Sequence, residues 1–188
     1  MFRINSLLAP TTLLPVHDAS AVGEVRRFAR DRAVQLGFDE TRCGQVAIVA
    51  TELATNIARH AGAGAVLVRA QALDPSGILE LLAIDRGPGM RDPSRCLEDG
   101  YSTRPGGSGT GLGAIRRLSD HFDLHTVHQL GTAVLARFGT PDPHPAPLDA
   151  AALSIPYPGE EACGDAWEID VTPERCSFAV IDGLGHGM

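Results

Sequence analysis

The segment from residue 39 to residue 62 carries a strong helical pattern and restricts the fold more than any other part of the chain. Its apolar residues recur at helical spacing and predict one buried face: Val46, Val49, Leu53 and Ile57. Asp39 stands where a side chain can cap the first turn, and Gly62 suits the end of a helix. The sequence therefore predicts a long helix with one side in the core.

Two polar residues of this helix, Glu52 and Asn56, are four positions apart and share one side, next to the buried face. One interpretation is the polar shoulder of an amphipathic helix. The other is the lip of a ligand pocket, since an asparagine oxygen suits a hard cation such as Mg²⁺ that also binds phosphates. A glutamate beside it could take a proton from an attacking hydroxyl group. The helix alone leaves both interpretations open.

Further helices and strands follow from periodicity over residues 19–138. Residues 19–38 predict another amphipathic helix that stops near Gly37, and residues 112–122 predict a third helix. The predicted strands are 65–70 and 78–85, with a turn at 73–77 between them, and a closing hairpin of 122–127 and 132–138. Residues 86–111 are rich in glycine, proline and serine, a composition typical of a lid or a disordered loop.

The stretch "IDRGPGM" places Asp85 at the end of a predicted strand, followed by Gly87 and Gly89. Asp and Gly are common where a strand ends in a turn, which is the simpler interpretation. The functional alternative is recognition of adenine. A carboxylate only accepts hydrogen bonds, so it favours the amino group of adenine over the carbonyl of guanine. Glycines beside it let the backbone approach a flat base.

The stretch "GGSGTGLGAIRRL" opens a predicted helix with Gly109, Gly111 and Gly113. Free N–H groups at a helix N-terminus bind phosphate, so a phosphate site is one interpretation. Taken alone the pattern is weak. It satisfies a dinucleotide-binding form, G-x-G-x-x-A, but no strand directly precedes it, as that motif requires. The G-K-[ST] of a P-loop is missing as well.

Composition excludes several classes of protein. The chain has 188 residues with a net charge of −7 and a pI near 5.4, and such an acidic chain is a poor candidate for nucleic-acid binding. No stretch is apolar enough to span a membrane, and no signal peptide is recognisable. The four cysteines lack C-x-x-C spacing, so neither zinc nor a disulfide framework is indicated and the cytoplasm is the expected compartment.

The order and spacing of the three polar stretches resemble the GHKL ATPase family. The match is closest to its anti-sigma and switch-kinase branch, the RsbT-like serine kinases, on "GPGMRD", "DGYST", "GTGLGAIRRLSDHFDLHT" and the later "GT" at 131–132. The resemblance covers residues 1–139. It implies a Bergerat fold, a two-layer α/β sandwich in which a mixed sheet carries helices on one face and ATP lies between the helices and a lid.

The resemblance also implies roles for individual residues. Asn56 would bind Mg²⁺, Asp85 would read adenine with Gly87 and Gly89 beside it, and Glu52 would be the catalytic base. The phosphates of ATP would be surrounded by Gly109, Thr110, Gly111, Leu112 and Gly113. The implied function is an ATP-dependent serine/threonine kinase of a bacterial partner-switching system, and its partner would be a STAS-domain antagonist.

The tail has a different character. Residues 140–158 contain a proline-rich linker, and residues 159–188 contain "CGDAW" and "VIDGLGHGM". These short motifs resemble the opening of SpoIIE/RsbX-type PP2C phosphatases, which bind Mn²⁺ or Mg²⁺ through aspartates. The matching residues are Asp165, Asp182 and Gly183, an incomplete set, so no phosphatase activity is expected from this tail. Two turn aspartates are the simpler interpretation.

Three other functions remain as alternatives. A nucleotide-gated module could control a fused or partner PP2C-type phosphatase while transferring little phosphate. A sensor histidine kinase core is disfavoured because no long helix with a phospho-accepting histidine precedes the proposed pocket. A metal-dependent phosphatase is disfavoured by the incomplete tail.

Overall fold

The structure, a computed structural model, describes residues 11–71, 77–97, 111–139, 163–171 and 175–183. Its largest unit is a five-stranded sheet whose strands, in chain order, are β1 (Thr11–Val16), β2 (Gly64–Gln71), β3 (Ile78–Asp85), β4 (His121–Val127) and β5 (Gly131–Phe138). In space the order is β1-β2-β3-β5-β4. The last strand of this unit therefore enters the sheet between β3 and β4.

The helices are α1 (Ala21–Gln35), α2 (Glu40–Asn56), α3 (Pro93–Cys96) and α4 (Gly111–Leu118), and α2 continues into a π-helical turn, Ile57–Ala61. The three longer helices confirm the predicted ones, although α4 ends at Leu118 and not at the predicted residue 122, because β4 begins at His121. As predicted, Asp39 caps α2, because its Oδ1 accepts a hydrogen bond from the Arg42 amide at 2.7 Å. The single turn of α3 was not predicted, and its cap is local: Asp92 accepts from the Arg95 amide at 3.1 Å.

One face of the sheet packs against α1, α2 and α4, and the core lies between these two layers. Along each strand, alternate side chains point to opposite faces, so every second residue enters the core. The core-facing strand residues include Val66, Val68, Leu79, Leu81, Ala136 and Phe138. From α2, the residues predicted to be buried are in the core, with Val46, Val49 and Leu53 fully buried and Ile57 at 2% exposure. The two-layer α/β architecture is therefore as expected.

One detail of the expected sheet was wrong. A mixed sheet was predicted, but each neighbouring pair among the five strands is antiparallel. The connections explain this result. The link from β3 to β4 contains α4 and carries the chain to the outer edge of the sheet, after which the tight turn into β5 brings the chain back in the opposite direction beside β3.

Strand β1 was not predicted from the sequence. Pro15 interrupts its apolar pattern, and proline lacks the N–H group that a central strand needs. The structure places β1 at the edge of the sheet, paired on one side only, with Pro15 opposite Ala65. An edge position tolerates the missing donor, so the proline is compatible with a strand here.

The tail contains a separate two-stranded antiparallel sheet, β6 (Ala166–Val171) and β7 (Cys176–Ile181). Three large apolar side chains on β7 are exposed, Phe178 at 78%, Val180 at 81% and Ile181 at 55%. The proline-rich segment 140–158 lies outside the described residues. In the described parts of the chain, no helix combines the length and the apolar character needed to cross a membrane.

Candidate functional site

The N-terminus of α4 lies against the polar edge of α2. A Cβ atom added to Gly111 would stand 2.8 Å from Glu52 Oε2 and 3.6 Å from Asn56 Oδ1. These two helices also meet at their other ends, where Arg42 of α2 forms an ion pair with Asp120 just after α4. Two segments more than fifty residues apart in sequence are thereby held side by side.

This arrangement offers groups suited to a phosphate and a cation. The first N–H groups of a helix have no partner within the helix, and the helix dipole makes that end attractive to anions. Opposite them, Glu52 and Asn56 are only partly buried and contribute oxygen atoms. Because Gly111 has no side chain, its backbone can approach these oxygens closely.

Asp85, the last residue of β3, lies near the π-helical turn that follows α2. Its Oδ1 accepts a hydrogen bond from the Gly87 amide at 2.8 Å, which fixes the carboxylate at the start of the following loop. A Cβ added to Gly64, its neighbour on β2, would lie 3.1 Å from Asp85 Cβ and 2.8 Å from Ile57 Cγ2. Gly64 thus leaves the space in which the end of α2 passes over Asp85.

The π-helical turn after Asn56 brings α2 onto the loop that follows Asp85. Its closing hydrogen bond runs from the Gly62 amide to the Ile57 carbonyl at 3.0 Å. A Cβ added to Gly87 would lie 2.7 Å from Ala61 Cβ. The helix and its π-helical turn therefore connect the phosphate-binding end at Glu52 and Asn56 to the loop that begins at Asp85.

The loop after β3 is anchored to the turn between β4 and β5. The Gln129 amide donates to the Pro88 carbonyl at 2.8 Å, and the Met90 amide donates to Thr126 Oγ1 at 3.0 Å. Gly89 adopts a φ of +62°, and a Cβ there would overlap the carbonyl oxygen of Val127. The two glycines predicted beside Asp85 are thus both in places where a side chain would collide with a neighbour.

The remaining predicted nucleotide-binding residues are in two groups. Leu112 packs against the core from α4, and Gly113 is buried in the same helix. Gly109 and Thr110 lie outside the described residues. The convergence of Gly111 with Glu52 and Asn56 is therefore the part of the phosphate end that the structure describes.

Sequence reasoning did not single out Thr132 and Thr126 as site residues. Strand register places Gly64, Asp85, Thr132 and Thr126 side by side across four strands. Residues paired in this way in an antiparallel sheet direct their side chains to the same face. The two threonine hydroxyl groups are 3.1 Å apart. Threonine is common in strands, so its presence does not indicate a site residue. The one sequence signal for Thr132 was the "GT" at 131–132, which contributed to the family resemblance.

Replacement of Gly131 by alanine is expected to destabilise the fold by about 1–3 kcal/mol or more. Gly131 has a φ of +134°, and an added Cβ would overlap the Asp85 carbonyl oxygen. Thermal or urea unfolding would measure the loss. The matched control is Gly44→Ala in α2, where an added Cβ meets nothing within 4 Å. There alanine favours the helix, so the control should stabilise slightly. Equal stability of the Gly131→Ala variant and the parent would contradict this prediction.

In the tail, the three residues of the predicted phosphatase site are adjacent. Ala166 pairs with Ile181, which brings the flanking Asp165 and Asp182 to the same end of the two-stranded sheet. The Gly183 amide donates to Asp165 Oδ1 at 3.3 Å. Among the described residues, no group of three or more His, Cys, Asp or Glu side chains is arranged to hold a metal ion. The metal site of the tail therefore stays a prediction.

Comparison with known proteins identifies the large unit. Residues 16–138 match a family model described as "Histidine kinase-like ATPase domain". Over 111 residues the chain is 37% identical to serine/threonine-protein kinase RsbT of Bacillus subtilis (strain 168), an alignment that covers 59% of this chain and 83% of that protein. A solved structure, full-length ShkA in complex with AMPPNP, is similar with 23% identity and a TM-score of 0.44, covering 68% of this chain and 31% of that one.

Proposed function

The chain belongs to the family of histidine kinase-like ATPase domains, and from this premise we propose that it is an ATP-dependent protein serine/threonine kinase of the RsbT-like type. The observation that carries the proposal is the meeting of Glu52, Asn56 and Gly111 near the end of α2, whose π-helical turn continues to the loop after Asp85. A bound nucleotide would have its base at Asp85 and its phosphates at the start of α4.

At the base end, Asp85 is the residue that would select adenine. Its carboxylate accepts hydrogen bonds and cannot donate them, so it pairs with the exocyclic amino group of adenine and is repelled by the carbonyl of guanine. The hydrogen bond from the Gly87 amide at 2.8 Å is to Oδ1, and we assign Oδ2 to the amino group of adenine. Gly87 and Gly89 let the loop after Asp85 pack closely against Ala61 and Val127, beside the carboxylate.

At the phosphate end, the donor set fits Mg²⁺, which prefers oxygen ligands and usually accompanies nucleotide phosphates. Asn56 Oδ1 lies on the same side of α2 as the Glu52 carboxylate, both facing the backbone of Gly111. We assign Asn56 to the ion and the backbone of Gly111 to the phosphates, with Leu112, Gly113, Gly109 and Thr110 around them. The ion would neutralise phosphate charge when the substrate is bound.

Glu52 would act as the general base for transfer. A serine or threonine hydroxyl of the partner attacks the γ-phosphorus of ATP, the bond from that phosphorus to the bridging oxygen breaks, and ADP leaves. The hydroxyl proton passes to the Glu52 carboxylate. Because Glu52 is partly exposed at the rim rather than enclosed, a partner side chain can reach it. Positioning of both substrates would supply much of the remaining rate enhancement.

The partner we propose is a STAS-domain antagonist in a bacterial partner-switching system, and the cytoplasm would be the compartment. This assignment rests on the similarity to RsbT, which is named a serine/threonine kinase. The alternative is a nucleotide-gated module that controls a PP2C-type phosphatase and transfers little phosphate. The adjacency of Asp165 and Asp182 in the tail is the observation that favours this alternative.

Titration with Mg·ATP and Mg·GTP tests the nucleotide site. We expect the parent protein to bind ATP at least about fivefold more tightly than GTP, since one wrong hydrogen-bonding edge costs about 1–3 kcal/mol. An Asp85→Asn variant should bind ATP at least about tenfold more weakly than the parent, because a charged acceptor is replaced by an amide. The variant should also lose much of the preference for ATP over GTP. Calorimetric titration would measure both affinities.

The control for that experiment is Asp123→Asn on β4, an exposed aspartate whose Oδ1 accepts from the neighbouring Leu124 amide at 2.8 Å. It removes the same charge away from α2 and should leave both affinities as in the parent. Equal affinity of the parent for ATP and GTP would contradict the assignment of Asp85.

A further inference from the structure

Arg42, near the start of α2, is joined to the residues that follow α4. Its guanidinium forms an ion pair with the Asp120 carboxylate. The same group lies over the ring of Phe138, with Cζ 5.0 Å from the ring centroid, and it donates to Gln45 Oε1 at 2.9 Å. The Arg42 side chain is 25% exposed. Contacts from α2, from β5 and from the end of α4 therefore hold this guanidinium in one place.

Asp120, the partner of Arg42, is itself fixed to the end of the sheet. Its Oδ2 accepts a hydrogen bond from the Gly139 amide at 2.7 Å, and its own amide donates to the Arg137 carbonyl at 2.9 Å. An ion pair between two mobile surface side chains contributes little, because both must be ordered to form it. Here both partners are already held by other contacts, so the pair joins two fixed points of the structure.

Helices α2 and α4 run in opposite directions, with a polar contact at each end. Gly111 faces Glu52 at one end, and Asp120 faces Arg42 at the other. Glu52 lies ten residues after Arg42, and Asp120 lies nine residues after Gly111. Because these separations nearly match, both contacts form at the same position of α4 along α2. A slide of α4 by one residue would displace Gly111 by about 1.5 Å.

The apolar contact between the two ends does not fix that position by itself. Ile115 of α4 is fully buried in the core. Apolar burial is non-directional, so it holds α4 at its depth but permits a small slide along α2. Hydrogen bonds and the ion pair of a guanidinium depend on direction and distance. The contact of Arg42 with Asp120 is therefore suited to set the axial position of α4.

We propose that Arg42 is a positioning residue, which through Asp120 holds α4 where its first N–H groups reach the phosphates of ATP beside Asn56. These N–H groups bind phosphate only at hydrogen-bonding distance, so a slide of about 1.5 Å weakens them. The inference rests on the proposed ATP site and extends it to a residue about 15 Å from Glu52 along α2, at about 1.5 Å per residue. Arg42 itself does not touch the nucleotide.

The test compares nucleotide binding by Arg42→Met with that of the parent, at a temperature where circular dichroism shows both proteins folded. Methionine keeps an unbranched apolar stem but has no cation for Asp120. Calorimetric titration should show that Mg·ATP binds the variant about tenfold more weakly, the worth of one hydrogen bond to a charged group. Adenosine has no phosphates, and its affinity, measured by displacement of Mg·ATP, should be unchanged. Arg42→Lys keeps the positive charge and should restore most of the Mg·ATP affinity.

The matched control is Arg30→Met, which removes the ion pair of Arg30 with Glu40 at 2.9 Å, between α1 and the start of α2. It makes the same change of residue without a contact to α4, so the affinity for Mg·ATP should stay as in the parent. A folded Arg42→Met protein that binds Mg·ATP like the parent overturns the proposal, because Arg42 would then contribute to stability alone. An equal loss for Mg·ATP and adenosine overturns it too, since the defect would not be confined to the phosphate end.

Asp120→Asn provides the same test if Arg42→Met does not fold. Asparagine has the size of aspartate and can still accept the Gly139 amide, but it lacks the charge that pairs with Arg42. We expect a severalfold loss of Mg·ATP affinity with adenosine unaffected, and an unchanged Mg·ATP affinity would overturn the proposal. A parent that does not bind Mg·ATP would instead refute the proposed function itself.

Discussion

Replacement of Glu52 by glutamine is expected to lower the rate of phosphate transfer by about 10²–10⁴-fold while ATP binding stays near that of the parent. Glutamine keeps the size and the hydrogen-bonding reach of the side chain, but it cannot take a proton from the attacking hydroxyl. Glu52 lies beside Gly111 at the rim of α2, where a partner hydroxyl can approach. Transfer of labelled phosphate from ATP to a STAS-domain acceptor, measured beside calorimetric ATP binding, separates the two effects.

The matched control is Glu24→Gln in the first turn of α1, which removes one exposed carboxylate away from α4. It should leave both transfer and binding unchanged. A Glu52→Gln protein that binds ATP and still transfers phosphate at the parental rate would exclude Glu52 as the base. A parent that binds ATP but transfers no phosphate to such acceptors would favour the nucleotide-gated module over the kinase.

Replacement of Gly111 by alanine is expected to lower transfer by about 10²-fold and to weaken ATP binding much less. The added Cβ would lie 2.8 Å from Glu52 Oε2, closer than such atoms can approach, so the carboxylate must move. A flexible side chain can move without unfolding the protein, and alanine suits a helix better than glycine. The predicted defect is therefore misplacement of the base, visible as a fall in kcat larger than the rise in KM.

Gly44→Ala in α2 is the control, because its added Cβ meets nothing within 4 Å. It should leave kcat and KM unchanged. If Gly111→Ala abolishes ATP binding and transfer together, the substitution blocks the phosphates directly, and the explanation through Glu52 would be wrong. If kcat is unchanged, Glu52 does not need its observed position for catalysis.

Elements with a strong local signal were predictable from the sequence. The buried face of α2 follows from side-chain spacing alone, and its cap follows from the ability of Asp39 to accept the Arg42 amide. Strand β1 was missed because Pro15 weakens a local strand signal, and only the edge position makes it acceptable. The mixed sheet was taken from the family resemblance, and it was wrong because the connections of this chain make each neighbouring pair of the five strands antiparallel.

Among the residues proposed for the site, some were also recognisable from the sequence and others were revealed only by the structure. Glu52 and Asn56 were recognisable as polar groups beside an apolar face, and Asp85 as a carboxylate at a strand end. The π-helical turn after Asn56 gave no signal, although it brings Ala61 onto Gly87. Thr126 was not recognisable either, because its partners Met90 and Thr132 are identified only by the strand register and the path of the loop.

By itself, the sequence determined which segments are helical or extended and which of their residues carry oxygen donors, since these properties depend on neighbours within one or two turns. Only the tertiary structure decided that Gly111 meets Glu52 and Asn56, and that Thr126 stands two strands from Asp85. Contacts of this kind arise from packing a whole helix layer against a whole sheet. They depend on the combined shape of many side chains, so no short stretch of sequence specifies them.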